Sequence, residues 1–418
     1  MARVTNLMIS NTMIGNINRH KSAMQKLEVQ LASGTKVQKP SDEPIIAATQ
    51  MLLNSRRSEL KQYSRNTGEG LDRMMMIDGQ LNQLTETFQR LRYLTVQAAN
   101  GTNGTFELKE AIGREINQHL KSMLDTANAK DATGRNLFGG SQIDKNSFAA
   151  IYSTSMDPGN NLSSEITNVR YQGDITQLTR EIERNESVSV SLPGNRVFWG
   201  TNMSISSNTD SSNFVSLGDQ SFSIDGFSIS VSAGDTLNDI IDKINNSPVD
   251  VVAAKGSQDD LILSTKNPHQ IWLQDEKGGT ILQDLGLIEN GGTGAPNNIS
   301  ANATVSGMSI FDVAITLRDD LYRGDQELIG GRDLEALDSA LENILRYRSE
   351  IGARMNRMEL HAKRLDSDEM YTMELLAKNE SLDPAESIMK LKNLENVHQY
   401  ALRVGAGIIK PTLMDFLR

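Results

Sequence analysis

The chain has 418 residues, of which 38% are hydrophobic and 5% aromatic, and its formal net charge at pH 7 is -11. A chain of this length exceeds the size at which a single core stops growing, so two or three domains are expected. The negative charge argues against a nucleic-acid-binding protein, which would present a basic face to phosphates. The absence of cysteine excludes disulfides and thiolate chemistry. The small aromatic fraction is less typical of a compact enzyme than of long helices, each of which buries a single apolar stripe.

Neither a cleaved signal peptide nor a membrane span is expected. The first residues lack an apolar run of signal-peptide length, and about 18 consecutive apolar residues occur nowhere in the chain. The charge is uneven: residues 1–70 carry ten Lys and Arg against five Asp and Glu, whereas residues 325–390 carry nine against fifteen. The two ends could therefore attract each other, although exposed pairs contribute only ~0 to 1 kcal/mol each.

Residues 1–43 are predicted to form an N-terminal assembly helix. Its apolar residues recur at intervals of 3 and 4, which is the pattern of a coiled-coil seam. His20 occupies one position of this seam and is assigned no chemistry, because no second histidine lies nearby on the helix. The predicted seam residues are Met13, Ile17, Met24, Leu27 and Leu31.

A hinge motif separates this helix from the next one. Pro40 disfavours helical geometry at the residue before it, and Ser41 or Asp42 could cap a new helix whose first turn tolerates Pro44. On local chemistry alone, this is simply a capped helix start.

Rod helices are predicted over residues 44–140. One long helix covers residues 45–100, the Asn-Gly pairs of residues 100–105 end it, and a return helix covers residues 106–128. A C-terminal rod helix is predicted over residues 305–382, as the antiparallel partner of the long helix. The predicted rod core consists of Ile77, Leu81, Leu84, Phe88 and Leu91 with Leu337, Leu341, Ile344, Ile351 and Met355.

Residues 383–418 form the predicted C-terminal assembly helix, whose seam should meet that of the N-terminal helix. This second seam comprises Leu394, Val397, Ala401, Val404 and Ile408. Isolated helices of this length are marginal in water, so both ends are expected to become ordered only when they dock on neighbouring subunits.

The middle of the chain is predicted to be an outer β or α+β domain. Residues 141–220 alternate apolar and polar side chains, which indicates β structure. Residues 221–290 are predicted to be a small α/β insert, with a hairpin, a helix capped by Thr236 and further strands. The glycine-rich run 291–296 is read as a linker, since a phosphate loop would need Lys-Ser/Thr and a helix behind it. The predicted fold is therefore mainly α, a rod of long antiparallel terminal helices with a β-rich insert.

No catalytic, cofactor-binding or metal site is predicted. The five histidines lack His-x-x-x-His spacing, and Asp366 begins a run like a calcium loop in which Tyr371 stands where glycine is needed. We therefore expect a protein that is not an enzyme.

The run from Ser33 to Ala47 resembles the hinge of the flagellin family, and its two prolines favour the hook–filament junction members over filament subunits. Thr35 departs from the usual Lys or Arg. Residues 134–140, 171–174 and 190–198 also resemble family motifs. The resemblance implies a structural subunit, an adaptor ring that assembles with itself through its terminal helices, with a flagellin-like filament subunit as the alternative.

The resemblance also implies partners and a location. The partners would be another hook-associated junction protein, flagellin and an export chaperone, with no nucleic acid and no membrane. The location would be the bacterial flagellum, reached by secretion through its type III channel. A coiled-coil receptor and an enzyme hidden in residues 130–310 are the competing hypotheses.

Overall fold

Helices at both ends of the sequence and strands in its middle make up the fold, which confirms the predicted mainly-α class with a β-rich insert. The computed structural model describes residues 6–41, 43–100, 105–142, 145–156, 162–289 and 294–408. The helices are α1 Asn6–Ser33, α2 Pro44–Ala99, α3 Phe106–Ala127, α4 Gly194–Val197, α5 Leu237–Asn245, α6 Ile281–Asp284, α7 Ile310–Arg323, α8 Gln326–Leu328, α9 Leu334–Glu380 and α10 Pro384–Ile408. The strands are β1 Phe148–Met156, β2 Leu162–Tyr171, β3 Thr179–Glu183, β4 Glu186–Ser189, β5 Ser204–Ser206, β6 Gln220–Ile224, β7 Phe227–Val231, β8 Val251–Lys255, β9 Leu261–Thr265, β10 Leu273–Asp275 and β11 Thr304–Ser306.

The chain divides into two units. One comprises Met1–Arg65 with Ala362–Arg418, and the other comprises Asn66–His361. The division falls within α2 and within α9, not at residues 43 and 383 where the sequence suggested domain limits.

The second unit has a core shared by α2, α3, α7 and α9. Two ion pairs show that α2 and α9 run antiparallel in this unit: Arg92 Nε lies 2.6 Å from Asp338 Oδ1, and Arg348 Nε lies 3.0 Å from Asp78 Oδ1. Of the predicted core residues, those that are buried are Ile77, Leu81, Leu84, Phe88, Leu91, Leu337, Ile344 and Ile351, whereas Leu341 and Met355 are half-buried.

The stretch predicted as one C-terminal rod helix over residues 305–382 consists of several segments. Ser309 and Asp312 form a capping box at the start of α7, and Gly324 ends that helix with a positive φ of 74°. A π-helical turn, Ile329–Asp333, then leads into α9. The interruption has a local cause, because Gly324 adopts the left-handed conformation that other residues reach only at a cost.

The insert contains two antiparallel sheets, in the orders β10-β6-β7 and β11-β5-β9-β8. Its apolar core extends from Trp199 to Ala303, so the insert is larger than the predicted 221–290. Strands β5 and β11 lie outside that prediction, yet β5 pairs with β9 and β11 pairs with β5. The two ends of the insert lie side by side, since the backbone N–H of Gly200 donates to the carbonyl of Met308 at 2.8 Å.

Candidate assembly surface

Helices α1 and α10 pack against each other through half-buried side chains. The predicted α1 seam residues, Met13, Ile17, Met24, Leu27 and Leu31, are all half-buried. A Cβ placed on Gly405 would lie 3.3 Å from Met13 Cε and 4.0 Å from Ile17 Cδ1, so this part of α10 lies directly against the first half of α1. Gly405 therefore provides the close approach of α10 to α1.

The seam of α10 differs from the predicted one. Val397 and Val404 are 45% and 57% exposed, so they do not belong to it. The residues on the packed face are Leu391, Leu394, His398, Ala401 and Gly405, which also follow spacings of 3 and 4. The pattern was misread because glycine and histidine occupy seam positions while valines occupy the neighbouring stripe. The side chain of Ile408 lies outside the described residues.

Val397, Tyr400 and Val404 form an exposed apolar stripe along α10. They recur at intervals of 3 and 4 and are therefore neighbours on the helix surface. Their exposed fractions are 45%, 63% and 57%. Exposed apolar patches of this kind mark protein contact sites.

The α1–α10 pair has little core of its own. Among the described side chains of α1 none is buried, and in the described part of α10 only Ser387 and Gly405 are. Apolar side chains are also exposed on both helices outside the α10 stripe, namely Met8, Ile14, Val29, Ile388, Met389 and Leu402. Because burial of apolar area supplies most of the folding free energy, this pair gains little from its own contacts.

The hinge motif ties the α1–α2 connection to the α9–α10 connection. Gly34 ends α1 with a positive φ of 72°. The N–H of Lys36 donates to the carbonyl of Glu380 at 2.9 Å, and the N–H of Leu382 donates to the carbonyl of Gly34 at 3.3 Å. Two turns that are distant in sequence are thereby held together by their backbones.

The predicted cap of α2 is not at Ser41. The helix begins at Pro44, and the carbonyl of Glu43 accepts its first hydrogen bond, from the N–H of Ala47 at 3.0 Å. Ser41 precedes this position by two residues, and Asp42 lies outside the described residues. Pro44 occupies the first helical position, where its missing N–H has no consequence.

Oppositely charged side chains of α2 and α9 meet within the first unit. Arg57 Nε and Lys61 Nζ lie 3.6 and 3.7 Å from Glu369 Oε1. These pairs agree with the opposite net charges of the two ends of the sequence, and their partial exposure limits their contribution to stability.

The three sequence motifs that resemble family motifs, residues 134–140, 171–174 and 190–198, meet in the second unit. Tyr171 Oη lies 2.9 Å from the carbonyl oxygen of Phe138 and 2.7 Å from that of Asp174, and it accepts the N–H of Gly194 at 3.2 Å. Burial raises the pKa of Tyr171, so the hydroxyl keeps its proton at neutral pH. Phe148 packs on the Tyr171 ring with the centroids 5.0 Å apart.

Asp174 also links these motifs, through hydrogen bonds from backbone N–H groups. Its Oδ1 accepts the N–H groups of Ser141 and Thr176 at 3.0 and 2.9 Å. Burial acts to raise the pKa of Asp174, but the hydrogen bonds from Ser141 and Thr176 outweigh it and the pKa is lowered. The sequence identified residues 171–174 only by their resemblance to a family motif. It did not predict that Asp174 binds Ser141, which lies 33 residues earlier in the chain.

Two family models match the chain. Residues 4–143 match the bacterial flagellin N-terminal helical region, and residues 214–267 match the flagellin hook IN motif. The N-terminal helices and part of the insert thus match flagellin-family models. In this structure the match to the flagellin N-terminal region includes α1, α2, α3 and the turn after α3, and the match to the hook IN motif includes β6, β7, α5, β8 and β9.

Curated relatives match over the N-terminal region. A phase 1 flagellin of Salmonella naestved is 34% identical over 122 residues, which is 28% of this chain and 23% of the relative. A flagellin of Salmonella dublin matches to the same extent. The chain thus spans less than a quarter of the length of these flagellins.

Solved structures of flagellar proteins are similar to the chain as well. Flagellar hook associated protein-3 from Legionella pneumophila is 19% identical with a TM-score of 0.47, over 78% of this chain and 98% of that one. FlgL of Xanthomonas campestris is 15% identical with a TM-score of 0.46, over 78% and 99%.

Of the helices that the structure describes, none combines the length and hydropathy that crossing a bilayer requires.

Proposed function

We propose that the chain is a structural subunit of the bacterial flagellum, located at the hook–filament junction as an adaptor ring. The observation that carries this proposal is the flagellin N-terminal helical region over residues 4–143, which contains the hinge with Pro40 and Pro44. The two prolines favour a junction subunit over a filament subunit, whose hinge resembles this one without them.

The exposed terminal helices support self-assembly. Helices α1 and α10 leave apolar side chains uncovered, and the α10 stripe of Val397, Tyr400 and Val404 faces away from α1. Copies of the same chain, a second hook-associated junction protein and flagellin are the proposed occupants of these surfaces. A subunit with this role acts by packing and not by catalysis.

Secretion through the flagellar channel belongs to the same proposal. An export chaperone would cover the apolar C-terminal helix before assembly, because an uncovered apolar helix promotes aggregation. The subunit would then reside outside the cell or in the periplasm, according to where the flagellum lies.

Localisation in isolated flagella tests the proposal directly. Gold-labelled antibody against the chain should mark a single band at the boundary between hook and filament, and deletion of the gene should release flagellin into the medium. Labelling along the whole filament would instead identify a filament subunit.

The α10 stripe can be tested by substitution. Val397→Asp combined with Val404→Asp should leave the thermal melting of the monomer unchanged but abolish filament formation, because a buried unpaired carboxylate at the subunit contact costs several kcal/mol. Leu345→Asp is the matched control, since Leu345 is 44% exposed on α9, and it should assemble normally. Normal motility of the double variant would contradict a role of the stripe in assembly.

A further inference from the structure

Two carboxylates face each other across a tight turn in the second unit. Glu183 and Glu186 are paired residues at the ends of β3 and β4, and Asn185 between them has a positive φ of 63°. Like charges directly opposite each other destabilise a hairpin, so this pair favours a nearby cation.

A histidine from α9 completes a group of three potential ligands. One ligand atom each from Glu183, Glu186 and His361 lies within 4.8 Å of the other two. His361 Nε2 is 3.8 Å from Glu186 Oε1, and the imidazole is only 12% exposed. The second ring nitrogen, Nδ1, is buried without a hydrogen-bond partner among the described residues. Nε2 is therefore the ring nitrogen that faces Glu186.

We propose that Glu183, Glu186 and His361 bind a divalent transition-metal ion of the zinc class. An imidazole nitrogen with two carboxylate oxygens suits zinc, whereas magnesium and calcium prefer oxygen ligands throughout. Ligand atoms about 2.0 to 2.2 Å from a tetrahedral zinc ion lie roughly 3.3 to 3.6 Å apart, so small side-chain rotations close the site. In a tetrahedral site of this kind, water would supply the fourth ligand.

Arg357 competes with the metal for one ligand. Its guanidinium forms an ion pair with the same Oε1 of Glu186 that faces His361. Arg357 is 58% exposed and can turn into solvent when the metal enters. The bound ion would clamp the β3–β4 hairpin onto α9 and stabilise the folded chain, since it binds the folded and not the unfolded state.

Zinc titration of the metal-free full-length protein by calorimetry tests this site, with calcium titrated in parallel. Wild-type protein should bind one zinc ion per chain. His361→Ala and, separately, Glu183→Gln should each weaken binding at least about tenfold. Circular dichroism and thermal melting without metal establish that both variants fold like the wild type.

His119→Ala is the matched control. His119 Nε2 lies 3.7 Å from Glu115 Oε1, a similar pair that no third potential ligand joins within the described part of the chain. This variant should bind zinc as the wild type does, and Arg357→Gln should bind it more tightly. The proposal is overturned if the wild type binds no zinc, if His361→Ala binds as tightly as the wild type, or if calcium binds as strongly as zinc. None of these measurements depends on assembly, so failure of the zinc site would not contradict the proposed flagellar function, and failure of that function would not contradict the zinc site.

Discussion

Single side chains determine how the loops of the second unit are joined. The hydroxyl of Tyr171 contacts three backbone groups from three segments, so the ring and its polar tip serve both packing and hydrogen bonding.

Tyr171→Phe should destabilise the protein by about 1 to 3 kcal/mol, because it leaves buried backbone groups without their partner. Urea unfolding measures this loss. Tyr152→Phe is the matched control, since Tyr152 is 54% exposed, and it should change stability little. Equal effects of the two substitutions would show that the hydroxyl contacts of Tyr171 contribute nothing.

Asp333 makes stability depend on pH. It is 2% exposed in the π-helical turn and lies close to Asp320, which is 1% exposed, while Arg332 binds both. Burial and then the charge of Asp320 raise the pKa of Asp333 from 3.8 to about 6, although Arg332 acts in the opposite direction. Between these two values the folded chain keeps a proton that the unfolded chain has lost. The contribution of Asp333 to stability is therefore full below about pH 4 and is lost as the pH rises through about 6.

Asp333→Asn removes this titration. Relative to the variant, wild-type protein should lose on the order of 1 to 3 kcal/mol of unfolding free energy between pH 4 and pH 7. Urea unfolding at several pH values measures the difference. Glu335→Gln is the control, because Glu335 is exposed, and the unfolding free energy of this variant should depend on pH as that of the wild type does. A constant difference between Asp333→Asn and the wild type across this range would contradict the assignment.

At the scale of elements, the long helices could be predicted closely. The expected limits of residues 45–100 and 106–128 compare with Pro44–Ala99 and Phe106–Ala127, because proline, Asn-Gly pairs and the Thr105 cap mark the ends locally. The α10 seam could not be predicted, since a seam through Gly405 and His398 is not apolar in sequence. The insert limits were also missed, because β5 and β11 are three-residue strands in Ser- and Asn-rich stretches and their pairing partners lie far along the chain.

The paired ends of the insert predict how it can be removed. Replacing residues 201–307 by a short Gly-Ser linker should preserve helical content and the melting temperature, because Gly200 and Met308 are already hydrogen-bonded neighbours. Removing residues 221–286 should instead give an aggregating protein, since β5 loses β9 and the core around Ile205 is opened. Circular dichroism and size-exclusion chromatography compare the two deletions. Equal behaviour would contradict the larger insert.

For the molecule as a whole, the two units differ in how much apolar surface they bury. The second unit has extensive cores, whereas the α1–α10 pair of the first has almost none among its described residues. Ordering a residue costs about 1 to 2 kcal/mol of backbone entropy, which half-buried contacts along one helix pair do not offset.

Limited proteolysis of the free monomer tests this difference. Trypsin should trim both ends and leave a stable fragment of about residues 40–385, cutting after Arg19, Lys26 and Arg403 first. Under the proposed function, the same sites should become resistant to trypsin in isolated flagella. Equal protection of these sites and of the core in the monomer would contradict the prediction.

Because no described side chain of α1 is buried, folding of the monomer and the proposed assembly constrain the sequence of this helix differently. A substitution such as Ile17→Asp should shift the melting temperature of the purified monomer little, because the half-buried contacts between α1 and α10 that it damages contribute little to the stability of the folded chain. Under the proposed function, variant libraries ranked by melting temperature would therefore retain chains that fold but do not assemble, and a screen for motility would be needed to detect them.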